Sequence, residues 1–375
     1  MNTPRYIDVH ALQTVPYANL NRDDLGAPKT LMYGGAERTR VSSQSWKRAV
    51  RHEIEDRLGQ PAVRTRRIIQ AVTDRLAAQG WDEDLALAGS RQVVLSAGGK
   101  EGFRAEEGKD ITSVTFYLPA AGLDELAAIV AEHKEQVAAQ AGKKKPTAVL
   151  PKDRVEAVLR SRNATIQLMG RMLAELPGAE VDGAVQFAHA FTTHATYVET
   201  DFFTAVDDIE KIGDAGSAHM NAAQFSAGTF YRYANIGLGT LADNLDGDTA
   251  TAHELATEFL RAFITTIPSG KQNATAAMTI PDLVYIAVRA DRPISLAPAF
   301  EHPVSSQAGY AEPSRQNLSD YAARLHEYWG SEGLAWHGHA ALADKPAPGL
   351  GDHTASLTSL VDQAIAAAFP APEPR

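Results

Sequence analysis

The chain has 375 residues, a hydrophobic fraction of 44%, a formal net charge of −10 and no cysteine. That length and apolar content allow two domains, or one elaborated domain with a substantial core. The missing thiols exclude disulfides, thiolate zinc sites and cysteine nucleophiles. The acidic balance argues against a generic nucleic-acid binder, whose domains are usually basic. It leaves open a binder whose cations are gathered in one place, because phosphate binding follows local charge and not the total. No apolar run is long enough to cross a membrane. The opening MNTPRYIDVHAL has no apolar core or cleavage site of an export signal, so the cytoplasm of a prokaryote-like cell is the expected setting.

Residues 5–15, RYIDVHALQTV, alternate apolar and polar and predict a strand. The segment PYANLNRDDLGAPKTLMYGG reads as loop, with Asn21-Arg22-Asp23-Asp24 as a polar turn cluster. In GGAERTRVSSQSWKRAVR (34–51) two glycines open a loop, Arg38 and Arg40 alternate with other residues, and a helix begins at the serines. Ser43 or Ser45 is placed to cap it. Lys47 and Arg51 are four apart and share a helix face, with Arg48 beside them. Cations, hydroxyls and first-turn amides in one place suit phosphates; the bland alternative is a solvated basic helix.

From about Arg57 to Gly178 the chain turns to alanine-rich helical periodicity in VRTRRIIQAVTDRLAAQG, LDELAAIVAEHKEQVAAQAG and DRVEAVLRSRNATIQLMGRMLAEL, with VTFYLP as a short strand. Lys143-Lys144-Lys145 reads as an exposed loop. Residues 181–196 carry His189 and His194 on an apolar segment, and a long weakly periodic excursion follows, ending in strand-like GTFYRYANI. Phe202 and Phe203 cannot both face one core, so one of them is expected to meet a ligand or partner. ATAHELATEFLRAFITTIP predicts a helix, SGKQNATAAM a loop with Lys271, Gln272 and Asn273 beside Gly270, LVYIAVRAD a strand, and NLSDYAARLHEYWG a helix. The end is weakly ordered apart from a helix at Ser356 to Ala368.

No P-loop, GxGxxG, HExxH or GxSxG is present. The enzymatic alternative is a metal site drawn from His189, His194, Asp207, Asp208, His219, His337 and His339. Against it, five residues is poor spacing for two ligands on one helix face. His337-Gly338-His339 reads as a loop, and Asp207-Asp208 as a charged hairpin tip.

Six segments in order, NLNRDD (19–24), RVSSQSWKRAVR (40–51), FAHAFTTH (187–194), FFTAVDD (202–208), GSAHMNAAQFSAGTFYRYANI (216–236) and GKQNATAA (270–277), together resemble CasC, the backbone subunit of type I-E CRISPR Cascade. The resemblance implies an α+β fold shaped like a right hand. A modified RRM (ferredoxin-like) palm would comprise residues 1–56, 181–197 and 227–345. Helical fingers would be inserted at 57–180, a β-hairpin thumb at 198–226, and a C-terminal segment would follow at 346–375. It implies copies joined head to tail along a CRISPR RNA (crRNA), partnered by other Cascade subunits, with bases displayed for pairing to target DNA. No cofactor, metal or catalytic residue is implied, because target DNA is cut by a separately recruited helicase-nuclease.

The reading of the residues supplies the physics of that role. Lys47, Arg48 and Arg51 with Arg22 and Arg40 would neutralise phosphates, and Ser43 and Gln44 would fix the RNA path, contacts being made to the backbone so that any spacer is accepted. Met172, Phe203 and Thr204 match positions that hold a displaced nucleotide, and Lys271 and Gln272 match a loop lining the RNA. Trp46 stands where the family usually has an aliphatic residue, which implies repacking. The alternative on the same fold is a metal-dependent RNA nuclease using Asp207 or Asp208, by analogy with type III backbone subunits.

Overall fold

The computed structural model describes residues 3–99, 103, 105–106, 109–205, 219–343 and 347–370. The chain divides into two compact units: Met1–Arg51 with Gln186–Gly239 and Thr249–Arg375, and His52–Val185 with Thr240–Asp248. In chain order the elements are β1 (Tyr6–Ala18), β2 (Thr30–Tyr33), β3 (Ala36–Val41), α1 (Ser43–Leu58), β4 (Ala62–Thr65), α2 (Ile68–Ala78) and α3 (Glu83–Ser96). Then come β5 (Phe116–Pro119), α4 (Ala121–Glu132), α5 (Lys134–Ala138), α6 (Lys152–Arg160), α7 (Ala164–Met169), β6 (Val185–Phe187), β7 (Ala190–Thr192), β8 (Glu199–Ala205) and β9 (His219–Gly237). The chain closes with α8 (Leu238–Asn244), α9 (Thr249–Thr265), α10 (Gln272–Thr275), β10 (Leu283–Arg289), α11 (Ala311–Trp329), β11 (Leu334–Ala341), β12 (Asp352–His353) and α12 (Leu357–Ala368).

The first unit is built on a mixed sheet ordered β12-β11-β10-β1-β9-β7-β3-β2, with β6 and β8 also pairing to β9. β1 lies at its centre, antiparallel to β10 (Tyr6↔Arg289) and to β9 (Tyr6↔Gly237). Both sets of alternating β1 side chains are buried: Ile7, Val9 and Ala11 on one face, Asp8, His10 and Leu12 on the other. Leu12 joins Tyr231, Tyr285, Phe300, Leu318 and Leu350 in a core on its face. On the opposite face, β1 and β10 meet α12, whose Leu360, Val361, Ala364 and Ile365 are buried.

Polar residues inside this strand are paired, as burial requires. Tyr233 Oη donates to Asp8 at 2.8 Å, the Ile294 amide does so at 2.9 Å, and Arg289 Nε lies 3.2 Å away. Burial still pushes the Asp8 carboxyl up to about 7, against these donors.

The second unit pairs β4 with β5 and packs α2, α3, α4 and α6 around Ile68, Val72, Leu76, Val93, Phe116, Leu126, Val130, Val155 and Leu159. Asp82 caps α3 by accepting from the Leu85 amide.

Three sequence expectations are corrected. The segment read as loop before Gly34 contains β2, which pairs with β3 through a turn at Gly34 and Gly35, both at positive φ. Arg38 and Arg40 therefore sit on a strand, and Arg38 is fully buried, donating to the carbonyls of Thr192 (2.8 Å) and Phe300 (3.0 Å). DRVEAVLRSRNATIQLMGRMLAEL is not one helix. Asn163 accepts from the Ile166 amide and starts α7 afresh, and Gly170, at φ +79°, ends it. His337-Gly338-His339 lies within β11, paired to β10, and not in a loop. Asp207 and Asp208 lie outside the described residues.

Candidate nucleic-acid interface

The sequence places six of its site residues on or just before α1, and the structure shows what fixes that helix. The cap is Ser42, not Ser43 or Ser45: its Oγ accepts from the Ser45 amide at 3.3 Å and its carbonyl from the same amide at 3.0 Å. The Ser42 amide donates to Asn21 Oδ1 at 2.9 Å, and the Ser43 amide to His189 Nδ1 at 2.8 Å. So several first-turn amides expected to meet phosphate already have protein acceptors. The charge offered to an anion here is on the side-chain surface.

That surface is assembled from distant segments of the first unit. Asn21 follows β1 and precedes Arg22, which bridges to Pro28 and is exposed. The Lys29 amide donates to the Asn21 carbonyl, and the Arg40 amide to the Lys29 carbonyl at 2.8 Å. Arg40 is half-buried on β3, its Nε 3.3 Å from the Thr30 carbonyl. Arg22, Lys29, Arg40 and the start of α1 are thus tied together by backbone bonds and by the Asn21 side chain. Along α1, Gln44 and Arg48 are exposed and Lys47 and Arg51 half-buried.

The Lys271 loop joins the same region. A Cβ on Gly270 would stand 2.4 Å from the Leu20 carbonyl oxygen, so only glycine allows this approach to the end of β1. Lys271 follows in the left-handed region at φ +56°, exposed, and Gln272 Nε2 donates to the Pro268 carbonyl at 3.2 Å.

Asn19 ties the root of the β8–β9 hairpin to this region by donating to the carbonyls of Gln224 (2.8 Å) and Gly26 (2.9 Å). On β8, paired to β9 through Phe203↔Asn221 and Thr204↔Met220, Phe202 is 71% and Phe203 46% exposed. Both rings stand in solvent, where only one was expected to leave the core.

Met172 belongs to the second unit and is 87% exposed. Its neighbour Arg171 is buried and donates to the carbonyls of Ala179 (2.7 Å), Ser161 (2.7 Å), Arg160 (2.8 Å) and Tyr117 (3.1 Å). Four backbone carbonyls on one guanidinium hold this segment in place. Burial lowers the Arg171 pKa to about 10, so it is charged at neutral pH.

The helix is fixed to the sheet through Arg232 on β9. Its guanidinium lies 3.8 Å from the Trp46 ring centroid and 4.5 Å from that of Phe263, and it donates to Gln13 Oε1 at 2.6 Å and to the Phe263 carbonyl. Trp46 presents its ring face to this cation, a contact that an aliphatic residue could not make. Both faces of β1 are covered from Ile7 to Gln13, and Thr14, Pro16 and Tyr17 toward its end are exposed.

Of the histidines considered as metal ligands, His194, His337 and His339 have partners inside the protein, and the side chain of His219 lies outside the described residues. His194 Nε2 accepts from the Thr229 amide, and its ring stacks on Tyr310 at 3.5 Å. The His326 and His337 rings meet edge to face with centroids 4.9 Å apart, and His339 Nδ1 donates to the Leu350 carbonyl. Among the described residues no group of three or more His, Cys, Asp and Glu could hold a metal ion.

Burial, first among the causes, lowers the pKa of His10, His194, His326, His337 and His339 below 6.5, His326 to about 4. A depressed folded-state pKa means that the unfolded chain takes up the proton first, so stability is complete above 6.5 and falls as pH drops toward 4. Asp8, raised from 3.8 to about 7, works in the opposite direction as a single group. Chemical denaturation between pH 7 and 4 is expected to show falling stability, with a shallower slope in His326→Gln.

The chain matches the model of the CT1975-like protein family over residues 7–363, and it belongs to that family, known as CasC. It is 60% identical to a chain of a CRISPR RNA-guided surveillance complex described as pre-nicking, covering 97% of this chain and 100% of that one with a TM-score of 0.92. A chain of another CRISPR RNA-guided surveillance complex is 50% identical over 97% of this chain and 100% of that one, with a TM-score of 0.81. No curated protein matches it. Among the described residues no helix is long and apolar enough to cross a membrane.

Proposed function

We propose that this protein is the crRNA-binding backbone subunit of a type I-E CRISPR surveillance complex. The observation that carries the reading is its full-length likeness to a chain of an RNA-guided surveillance complex at 60% identity. Copies join head to tail along the spacer, beside other Cascade subunits, and present the bases for pairing with target DNA. Its role is structural, without catalysis, and sequence is read by base pairing.

The strand order β10-β1-β9-β7, with α1 following β1 and α9 following β9, supports an RRM-like palm. The second unit then corresponds to the fingers and the β8–β9 hairpin to the thumb. Lys47, Arg48, Arg51, Arg22 and Arg40 contact phosphates, Ser43, Gln44, Lys271 and Gln272 line the RNA path, and Phe203, Thr204 and Met172 hold a displaced nucleotide.

The test co-expresses the chain with its companion subunits and crRNAs of graded spacer length, followed by native mass measurement in magnesium. The number of copies is expected to rise stepwise with spacer length, with the RNA intact. A copy number independent of spacer length would overturn the reading. Magnesium-dependent cleavage of the RNA would favour the nuclease.

A further inference from the structure

The sequence offers His189 only as a metal ligand or a core residue, and the structure places it at the root of the basic helix. Its Nδ1 accepts from the amide of Ser43, the first residue of α1, at 2.8 Å. This amide lies at the end of the helix where backbone N–H groups have no intrahelical acceptor. An imidazole that accepts at Nδ1 carries its proton on Nε2 and is neutral.

The surroundings all favour that neutral form. The charged groups acting on the ring are Arg40 on β3 and Lys29 ahead of β2, both cations. The first turn of α1 has no acidic residue, and residues 186–192 contain no other charged group. The positive end of the helix dipole adds to the same effect. Burial, then Arg40 and Lys29, lower the pKa of the ring below its ordinary 6.5.

Resting on the RNA-binding reading above, we propose that His189 is a positioning residue of the RNA interface, acting only as a neutral acceptor that holds the N-terminus of α1. Through Ser43 it fixes Gln44 and, one and two turns on, Lys47, Arg48 and Arg51. A protonated ring has two N–H groups and no acceptor, so it must release the Ser43 amide. Like charge at the helix start and beside Arg40 and Lys29 then loosens the first turn. The asparagine side chain is the close substitute: its oxygen takes the place of Nδ1, it is a good partner for a helix N-terminus, and it does not titrate.

The experiment measures single-stranded RNA affinity of the full chain at fixed ionic strength from pH 8 to 5.5, for wild type, His189→Asn and His189→Ala, with thermal unfolding in parallel. At pH 8 His189→Asn should bind within about twofold of wild type, and His189→Ala about fivefold more weakly, the size of a lost cap. As pH falls below 6.5, wild type should move toward the alanine variant relative to His189→Asn. Equal affinity of the asparagine and alanine variants, or parallel pH profiles of wild type and His189→Asn, would overturn the proposal. A gain of wild type over His189→Asn in acid would also overturn it, by making the imidazolium a phosphate ligand. If wild type itself binds no RNA at pH 8, the RNA-binding reading fails and not this step alone.

Discussion

Arg232→Ala is expected to destabilise the protein by roughly 3–5 kcal/mol, the range for emptying a large buried site and stranding its partners. Arg232 is 1% exposed and sits on the face of the sheet that receives Trp46 and Phe263. Truncation leaves the Gln13 side-chain oxygen and the Phe263 carbonyl without this donor, and it opens a void against two aromatic rings. Burial lowers the Arg232 pKa only to about 9, so the group is charged at neutral pH and held by carbonyl dipoles and ring faces. Arg232→Met fills most of the volume and drops the buried charge, so it should cost about half as much. Urea unfolding measures both. A loss under about 1 kcal/mol for the alanine variant would mean that Trp46 is not seated on this cation. Because Trp46 belongs to α1, Arg232→Met should also weaken RNA binding, through the helix and not through any phosphate contact of its own.

The combined change Lys47→Ala, Arg48→Ala and Arg51→Ala should produce the largest loss of binding. Each phosphate neutralised on a single strand contributes a salt dependence of about 0.7 in log K per decade of salt. At about 0.1 M salt, one decade below the molar reference, that is roughly fivefold per contact and roughly 100-fold for three. Arg48 is exposed, whereas Lys47 and Arg51 are half-buried and engaged within the protein, so a loss of fold must be separated from a loss of contact. Circular dichroism of the variant checks this. A loss under about threefold would place the RNA elsewhere.

Much of the scaffold could be read from local pattern. The strand at β1, the i, i+4 spacing of Lys47 and Arg51, and the helix read at Ser356 to Ala368 all depend on neighbours in sequence, and each stands in the structure. The hairpin β2–β3 was not legible, because TLMY is only four residues long and AERTRV is short and rich in charge. Burial of Arg38 was not legible either, since its acceptors, Thr192 and Phe300, lie far along the chain. The cap was read as Ser43 or Ser45 and is Ser42, because the clustered serines do not mark where the helix starts. Asn21 looked like an ordinary turn residue until its bond to the Ser42 amide brought the turn to the helix. His189 was weighed as a metal ligand or a core residue, and its partner is 146 residues away. Gly270 offered a hint, as glycines beside functional loops often permit close backbone approach, but nothing in the sequence named Leu20 as what it approaches.

The most direct test of RNA-backbone binding at α1 is the salt dependence of single-stranded RNA affinity, wild type against the Lys47, Arg48 and Arg51 triple-alanine protein, with magnesium present and RNA integrity followed on a gel. The expected result is intact RNA and a log–log slope that flattens by about 2 in the variant, at about 0.7 for each contact removed. An unchanged slope would contradict the assignment, because neutral residues at these positions would then release no fewer counterions than the cations they replace.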